Sequence, residues 1–139
     1  MSRTATEPTT YRVDGPIDDE ELTTLHEQAF RTTAHSFVPW SRRLQRHSIC
    51  WVTAHRGDRL VGFVNLIGDG GAHAVLFDTV VAPDVQRQGI GHDLVTRAIT
   101  EARSLGCIWL HVDYEPRVAD FYERVCGFGR TAAGLIRLA

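Results

Sequence analysis

The chain has 139 residues, 43% hydrophobic and 23% charged, with a net charge of −2 and a pI near 6.4. That length holds one hydrophobic core and leaves no room for a second. The near-neutral balance argues against a nucleic-acid binder, which carries a basic face, and no apolar run approaches the ~18 residues of a membrane span.

Residues 1–10 are polar and rich in threonine and read as a flexible N-terminus, followed by a single domain over residues 11–139. Residues 11–13 can form a short first strand. Asp18 and Asp19 precede a helical pattern (Leu22, Leu25, His26, Ala29, Phe30), with acids where the helix dipole favours them. Residues 31–48 read as a short second helix between loops, with Phe37, Val38 and Trp40 around Pro39 and a basic cluster of Arg42, Arg43, Arg46 and His47. Residues 49–54 and 60–67 are β-rich on either side of Arg56-Gly57-Asp58, a hairpin signal. A turn at residues 68–71 leads into a third antiparallel strand at residues 74–81.

The stretch from Asp78 to Gly106 organises the chain. The apolar strand stops at Pro83, crosses a polar turn and meets Gly89 and Gly91, where a helical pattern begins (Ile90, Leu94, Val95, Ala98, Ile99, Ala102) and runs to a C-cap at Gly106. The first turn of a helix leaves N–H groups unpaired at the positive end of its dipole. Glycine lets a phosphate approach those groups, and Arg87 adds a cation. A glycine turn that merely lets a helix start is the plain alternative. The spacing lacks the third glycine of a dinucleotide fingerprint and the G-K-[ST] of a P-loop. Residues 107–112 form the next strand, and a strand–helix–strand crossover makes it the parallel neighbour of residues 74–81. Pro116 opens a further helix through Val125 that ends at Gly127, and residues 134–138 are expected to supply a last strand.

The pattern V-x-P-x-x-Q-x-x-G-x-G (Val81, Pro83, Gln86, Gly89, Gly91) resembles the acetyl-CoA-binding motif of the GNAT superfamily of N-acetyltransferases. F-Y-x-x-x-x-G-F (Phe121, Tyr122, Gly127, Phe128) resembles its second signature, with one extra residue between the tyrosine and the glycine and Ala119 one position closer to the Phe-Tyr pair. The resemblance covers residues 49–138. It implies an α/β fold with a mixed, splayed sheet of six to seven strands flanked by about four helices. It also implies acetyl-CoA as co-substrate, its pantetheine arm on the backbone of Thr79, Val80 and Val81, and its pyrophosphate among Arg87, Gln88, Gly89, Ile90, Gly91 and His92. In relatives the region between the first two helices walls the acceptor site, which gives the aromatics near Pro39 a second role beside core packing.

Acetyl transfer to an amine needs a neutral acceptor, a polarised carbonyl and a proton for the departing thiolate. Direct attack in a ternary complex needs no enzyme nucleophile. The resemblance makes Tyr122 the general acid, a buried structural tyrosine being the alternative. Asp78 falls on the same strand face as Leu76 and Val80, and a carboxylate there is costly to bury without a partner. It is an acceptor or proton-relay residue, or part of a structural salt bridge. Trp109, His111 and Asp113 share one face of the following strand, which puts His111 and Asp113 in the cleft as competing bases or acceptor anchors. Glu115 stands where many relatives have an asparagine that touches the cofactor, so that contact is not carried over.

The expected acceptor is a small cationic amine, with a protein N-terminus, a lysine, or a non-catalytic acyl-CoA-binding module as alternatives. No nucleic-acid or membrane partner and no metal is expected, since the seven histidines lack H-x-x-x-H spacing on a helix and the cysteines lack a C-x-x-C pair. Cys50, Cys107 and Cys126, an odd number after a start without an apolar signal core, read as free thiols of a cytoplasmic protein. Homodimers are frequent in the family, although no residue here demands one.

Overall fold

A computed structural model of the chain describes residues 7–31 and 37–139. The elements in order are β1 (Thr9–Val13), α1 (Asp19–Phe30), α2 (Trp40–His47), β2 (Cys50–Arg56), β3 (Arg59–Gly68), β4 (His73–Val81), α3 (Ile90–Ser104) and β5 (Trp109–Val112). After β5 come a 3-10 turn at Pro116–Val118 and one π-helical turn at Phe121–Val125. The strands form one sheet in the order β1-β2-β3-β4-β5. The first three pairings are antiparallel and β4–β5 is parallel, the expected outcome of the α3 crossover.

Alternation along β3 sorts the helices onto opposite faces. A Cβ on Gly62 would stand 2.9 Å from Leu94 Cδ1 and 3.2 Å from Ile90 Cγ2, so α3 lies on that face at glycine distance. The next residue, Phe63, is fully buried with its ring edge-on to Trp40 of α2, the centroids 5.6 Å apart. Successive strand residues point to opposite faces, so α2 lies across the sheet from α3.

Local chemistry sets the helix ends. Asp18 caps α1, its carboxylate accepting from the Glu21 amide at 2.9 Å. At the end of α3 Gly106 has φ +87°, its N–H bonds to the Arg103 carbonyl, and the Cys107 N–H reaches back to Ala102. Those paired bonds around a left-handed glycine are a Schellman C-cap.

Three expectations change. Thr9 and Thr10 belong to β1, so the polar N-terminus is ordered sooner than its composition suggests; residues 1–6 lie outside the described residues, as do residues 32–36 of the loop before α2. Among the described residues the sheet has five strands instead of six or seven. Residues 134–138 form no strand, because a strand exists only through a ladder and this segment pairs with none; Leu135 and Leu138 remain 90% and 92% exposed. Cys50 is buried, Cys107 and Cys126 are half-buried, and all three are free thiols.

Candidate active site

The site forms where β4 and β5 part. Their ladder runs from His73 opposite Trp109 to Leu76 opposite Val112; β5 then stops while β4 continues to Val81. The gap is a cleft of about 800 Å³, walled by Leu76–Val81 on one side and Val112–Glu115 on the other. β4 also bends within it. Asn65 pairs with Phe77 and Phe63 with Val80, so Asp78 and Thr79 together oppose Val64 in a β-bulge. Asp78 takes a left-handed φ of +56° there, a conformation uncommon outside glycine but tolerated best by Asp and Asn.

One end of the cleft is the start of α3. Gly89, at φ +86°, is its N-cap, and no side chain caps the first turn. Arg87, also left-handed at φ +62°, and Gly89, Ile90, Gly91 and His92 line the cleft. A Cβ on Gly91 would sit 3.4 Å from the Phe121 ring and 3.8 Å from Val81, so this glycine closes the wall between α3 and the Phe-Tyr segment. Gln86 has a different task from the loop around it: its side-chain amide donates to the Val81 carbonyl at 3.1 Å and ties the turn to the end of β4. Gln88, expected beside the pyrophosphate, is not part of the cleft wall; its side-chain oxygen accepts from Arg56.

Tyr122 stands midway. Its ring stacks on Tyr114, centroids 5.2 Å apart, and meets Phe121 and Phe128 edge-on at 4.9 Å and 6.0 Å. Burial raises its pKa, and the nearby Thr79 hydroxyl partly offsets that rise. Thr79 Oγ1 is itself buried without a hydrogen-bond partner of ordinary geometry among the described residues, an orphan polar atom on the cleft wall beside the phenol. The extra residue between Tyr122 and Gly127 is absorbed locally. Phe121–Val125 makes a single π-helical turn, closed by the Cys126 N–H on the Phe121 carbonyl at 2.9 Å. Inserting one residue in this way lets Gly127, at φ +86°, turn the chain so that the Phe128 N–H bonds to the Tyr122 carbonyl.

The other end is acidic. Asp78 and Asp113 both line it, and no hydrogen bond or ion pair is seen for Asp113 among the described residues. Asp78 Oδ1 bonds to His26 Nε2 at 3.1 Å, with both side chains about a quarter exposed, 28% for the histidine and 23% for the aspartate. Glu115 lines the cleft but is held by Arg117, whose Nε lies 2.8 Å from its Oε2.

His111 is not brought to the site. It is exposed and bonds to His73 at 2.8 Å on the far side of β5. The alternation argument failed because β5 ends at Val112. Val112 turns into the cleft, His111 and Trp109 turn away, and Asp113 enters only because it lies beyond the strand. Trp40 and Phe37 do not line the cleft either, since Trp40 is buried between Phe63 and His26 and Phe37 is 61% exposed. Besides Phe121 and Tyr122, the aromatics that line it are Phe30, Phe77 and Tyr114, which sequence reasoning did not place in the site. His26 was missed as well. Its signal was present: a histidine on the apolar stripe of α1 and an aspartate on an apolar strand are two polar anomalies that satisfy one another. Among the described residues, no group of three or more His, Cys, Asp or Glu is arranged to hold a metal ion.

Comparison with known proteins leads to the same place. The family model described as Acetyltransferase (GNAT) family matches residues 16–128. The chain is 33% identical over 90 residues to serotonin N-acetyltransferase 2, chloroplastic, of Oryza sativa subsp. japonica, covering 63% of this chain and 44% of that protein. It thus spans less than half the length of that curated relative. A GNAT family acetyltransferase from Streptococcus pneumoniae TIGR4 superimposes with a TM-score of 0.76 at 26% identity, over 95% of this chain and 98% of that one. A GNAT family acetyltransferase from Brucella melitensis, in complex with acetyl-CoA, superimposes with a TM-score of 0.68 at 20% identity, over 85% of this chain and 81% of that one. With the splayed parallel pair, the bulged strand and the glycine-capped helix each in its place, and with the family model extending across most of the domain, the chain belongs to the GNAT acetyltransferase family.

Proposed function

We propose that the protein is an acetyl-CoA-dependent N-acetyltransferase that acylates the primary amine of a small molecule by direct attack in a ternary complex. The observation that carries this reading is the continuity of one cleft. It runs from the uncapped start of α3, past the Tyr122 and Thr79 hydroxyls, to the Asp78 and Asp113 carboxylates. The residues fit coenzyme A. Gly89 adds no side chain at the helix start, Arg87 supplies a cation for a diphosphate, and the bulge takes main-chain groups of Asp78 and Thr79 out of the β3–β4 ladder, where a pantetheine amide can pair with them. Acetyl-CoA supplies an activated thioester.

The chain's own residues do the rest. Asp78 accepts the proton that the attacking ammonium gives up. The amine nitrogen then bonds to the thioester carbonyl carbon, sheds its second proton to solvent, and the carbon–sulfur bond breaks to leave a neutral amide. Tyr122 passes its phenolic proton to the departing thiolate, and a phenol whose pKa is raised by burial holds that proton until the thiolate forms. Asp113, which has no counter-ion among the described residues, attracts the acceptor's positive charge, while Phe30, Phe77 and Tyr114 offer apolar surface to the body that carries the amine. That combination favours an aromatic or otherwise apolar amine over a polyhydroxylated sugar, and the similarity to a serotonin N-acetyltransferase points the same way.

The test is thiol release from acetyl-CoA with a panel of serotonin, tyramine, spermidine, glucosamine 6-phosphate and a short peptide. Turnover is expected with serotonin or tyramine and should drop sharply in Tyr122→Phe. Binding of acetyl-CoA without turnover of any amine would overturn the enzyme reading in favour of a non-catalytic module.

A further inference from the structure

Asp78 is held at the cleft by a residue from another element. His26 lies one turn before Phe30 on α1, packed against it at 4.6 Å between ring centroids and against Trp40 at 5.3 Å. Those contacts restrict the imidazole to the orientation in which Nε2 meets Asp78 Oδ1 at 3.1 Å. Phe30 lines the cleft and His26 does not, so the histidine stands behind the carboxylate as seen from the acceptor's position.

The bulge makes such a partner necessary. An aspartate at φ +56° in the bulge of a largely apolar strand has no one-to-one ladder partner to fix its side chain, and a carboxylate more than three-quarters removed from water needs a donor. With Oδ1 engaged by His26, Oδ2 is the oxygen left for an incoming ammonium. We infer that His26 is the positioning residue of the acceptor site: as the Nε2–H tautomer it orients the Asp78 carboxylate toward the cleft and thereby sets the affinity for a cationic acceptor. This rests on the reading of Asp78 as the acceptor-side carboxylate. The other members of the packing shell, Phe30 and Trp40, carry no charge, so the hydrogen bond to Asp78 is the polar interaction through which His26 acts.

The experiment compares His26→Leu, His26→Gln, Asp78→Asn and the His26→Leu/Asp78→Asn pair. Steady-state rates are taken with saturating acetyl-CoA and the panel amine of highest kcat/KM, and coenzyme A affinity is measured by calorimetry. Removing one charge-assisted hydrogen bond should raise the amine KM about tenfold in His26→Leu while leaving coenzyme A affinity unchanged. Glutamine, whose side-chain amide can reach the Nε2 position, should return KM toward the wild-type value. The double variant should be no worse than Asp78→Asn alone.

A second readout needs no turnover. Long-range proton–nitrogen spectra of the His26 ring should display the Nε2–H tautomer in the wild type and lose that bias in Asp78→Asn. If Asp78→Asn raises KM but His26→Leu does not, His26 is structural and the inference is overturned. If Asp78→Asn leaves KM unchanged, the acceptor reading of Asp78 fails first and the inference with it. A ring without tautomer bias would overturn the inference even if no amine on the panel turns over.

Discussion

Gly89→Ala separates what the glycine turn does for folding from what it does for ligand binding. Gly89 sits at φ +86°, and an added Cβ would meet nothing within 4 Å among the described residues, so the folding cost is the left-handed backbone. That cost is about 1–2 kcal/mol for an L-residue. At an unfolding entropy of roughly 2 cal/mol/K per residue, a chain of 139 residues should lose about 3–7 °C of Tm. The same helix carries its own control. Gly106, at the other end of α3, has φ +87° and the same open surroundings, so Gly106→Ala should lower Tm by a similar amount. Of these two glycines, Gly89 lines the cleft and Gly106 does not. A methyl there holds a diphosphate away from the α3 amides, and losing even one charge-assisted hydrogen bond should weaken coenzyme A at least about tenfold. Calorimetric titration of both variants, with thermal unfolding in parallel, is the assay. Equal losses of Tm with coenzyme A affinity unchanged in Gly89→Ala would refute the assignment of this turn to the diphosphate.

Tyr122→Phe should lower kcat by about 10²–10⁴-fold with little change in coenzyme A affinity, measured by thiol release and calorimetry. Because burial raises the phenol's pKa, the alkaline limb of kcat should lie above the ordinary tyrosine range; a limb at or below that range would contradict the assignment. Gly62→Ala should cost about 1–3 kcal/mol, since its Cβ would meet Leu94 at 2.9 Å with Ala54 and Ile90 at 3.2 Å, and chemical denaturation would register it. Cys50, buried at the start of β2, has its thiol pushed up to about 12 from 9.0. Between those values the unfolded chain has released the proton and the folded chain has kept it. The unfolded state therefore binds fewer protons, and stability falls as pH rises through that window. Denaturation curves at pH 8 and pH 10.5 should differ, and by less in Cys50→Ala.

How far the sequence carries depends on whether a residue's task is local. Gly89, Gly91 and Gly106 were legible because a helix end has fixed needs that a short motif can state. Asp78 was legible as an anomaly, a carboxylate in an apolar strand, but its partner was not, since His26 lies 52 positions away and only the packing of α1 on β4 joins them. His111 was misplaced because period-two alternation says nothing about where a strand stops. The extra residue after Tyr122 looked like a flaw in the signature, yet one π-helical turn takes it up, and spacing alone does not reveal that register change. Trp40 was ambiguous between core and acceptor wall until Phe63 was seen against it. Residues 134–138 have the composition of a strand and no neighbour to make them one.

The central claim is that the start of α3 and the bulged end of β4 together hold coenzyme A. Proton–nitrogen correlation spectra of the labelled protein, recorded while coenzyme A is titrated to saturation, test it most directly. The amides of Gly89, Ile90, Gly91 and His92, with those of Thr79, Val80 and Val81, should move most. If those signals stay in place while amides elsewhere shift, the diphosphate lies somewhere else and the account is wrong.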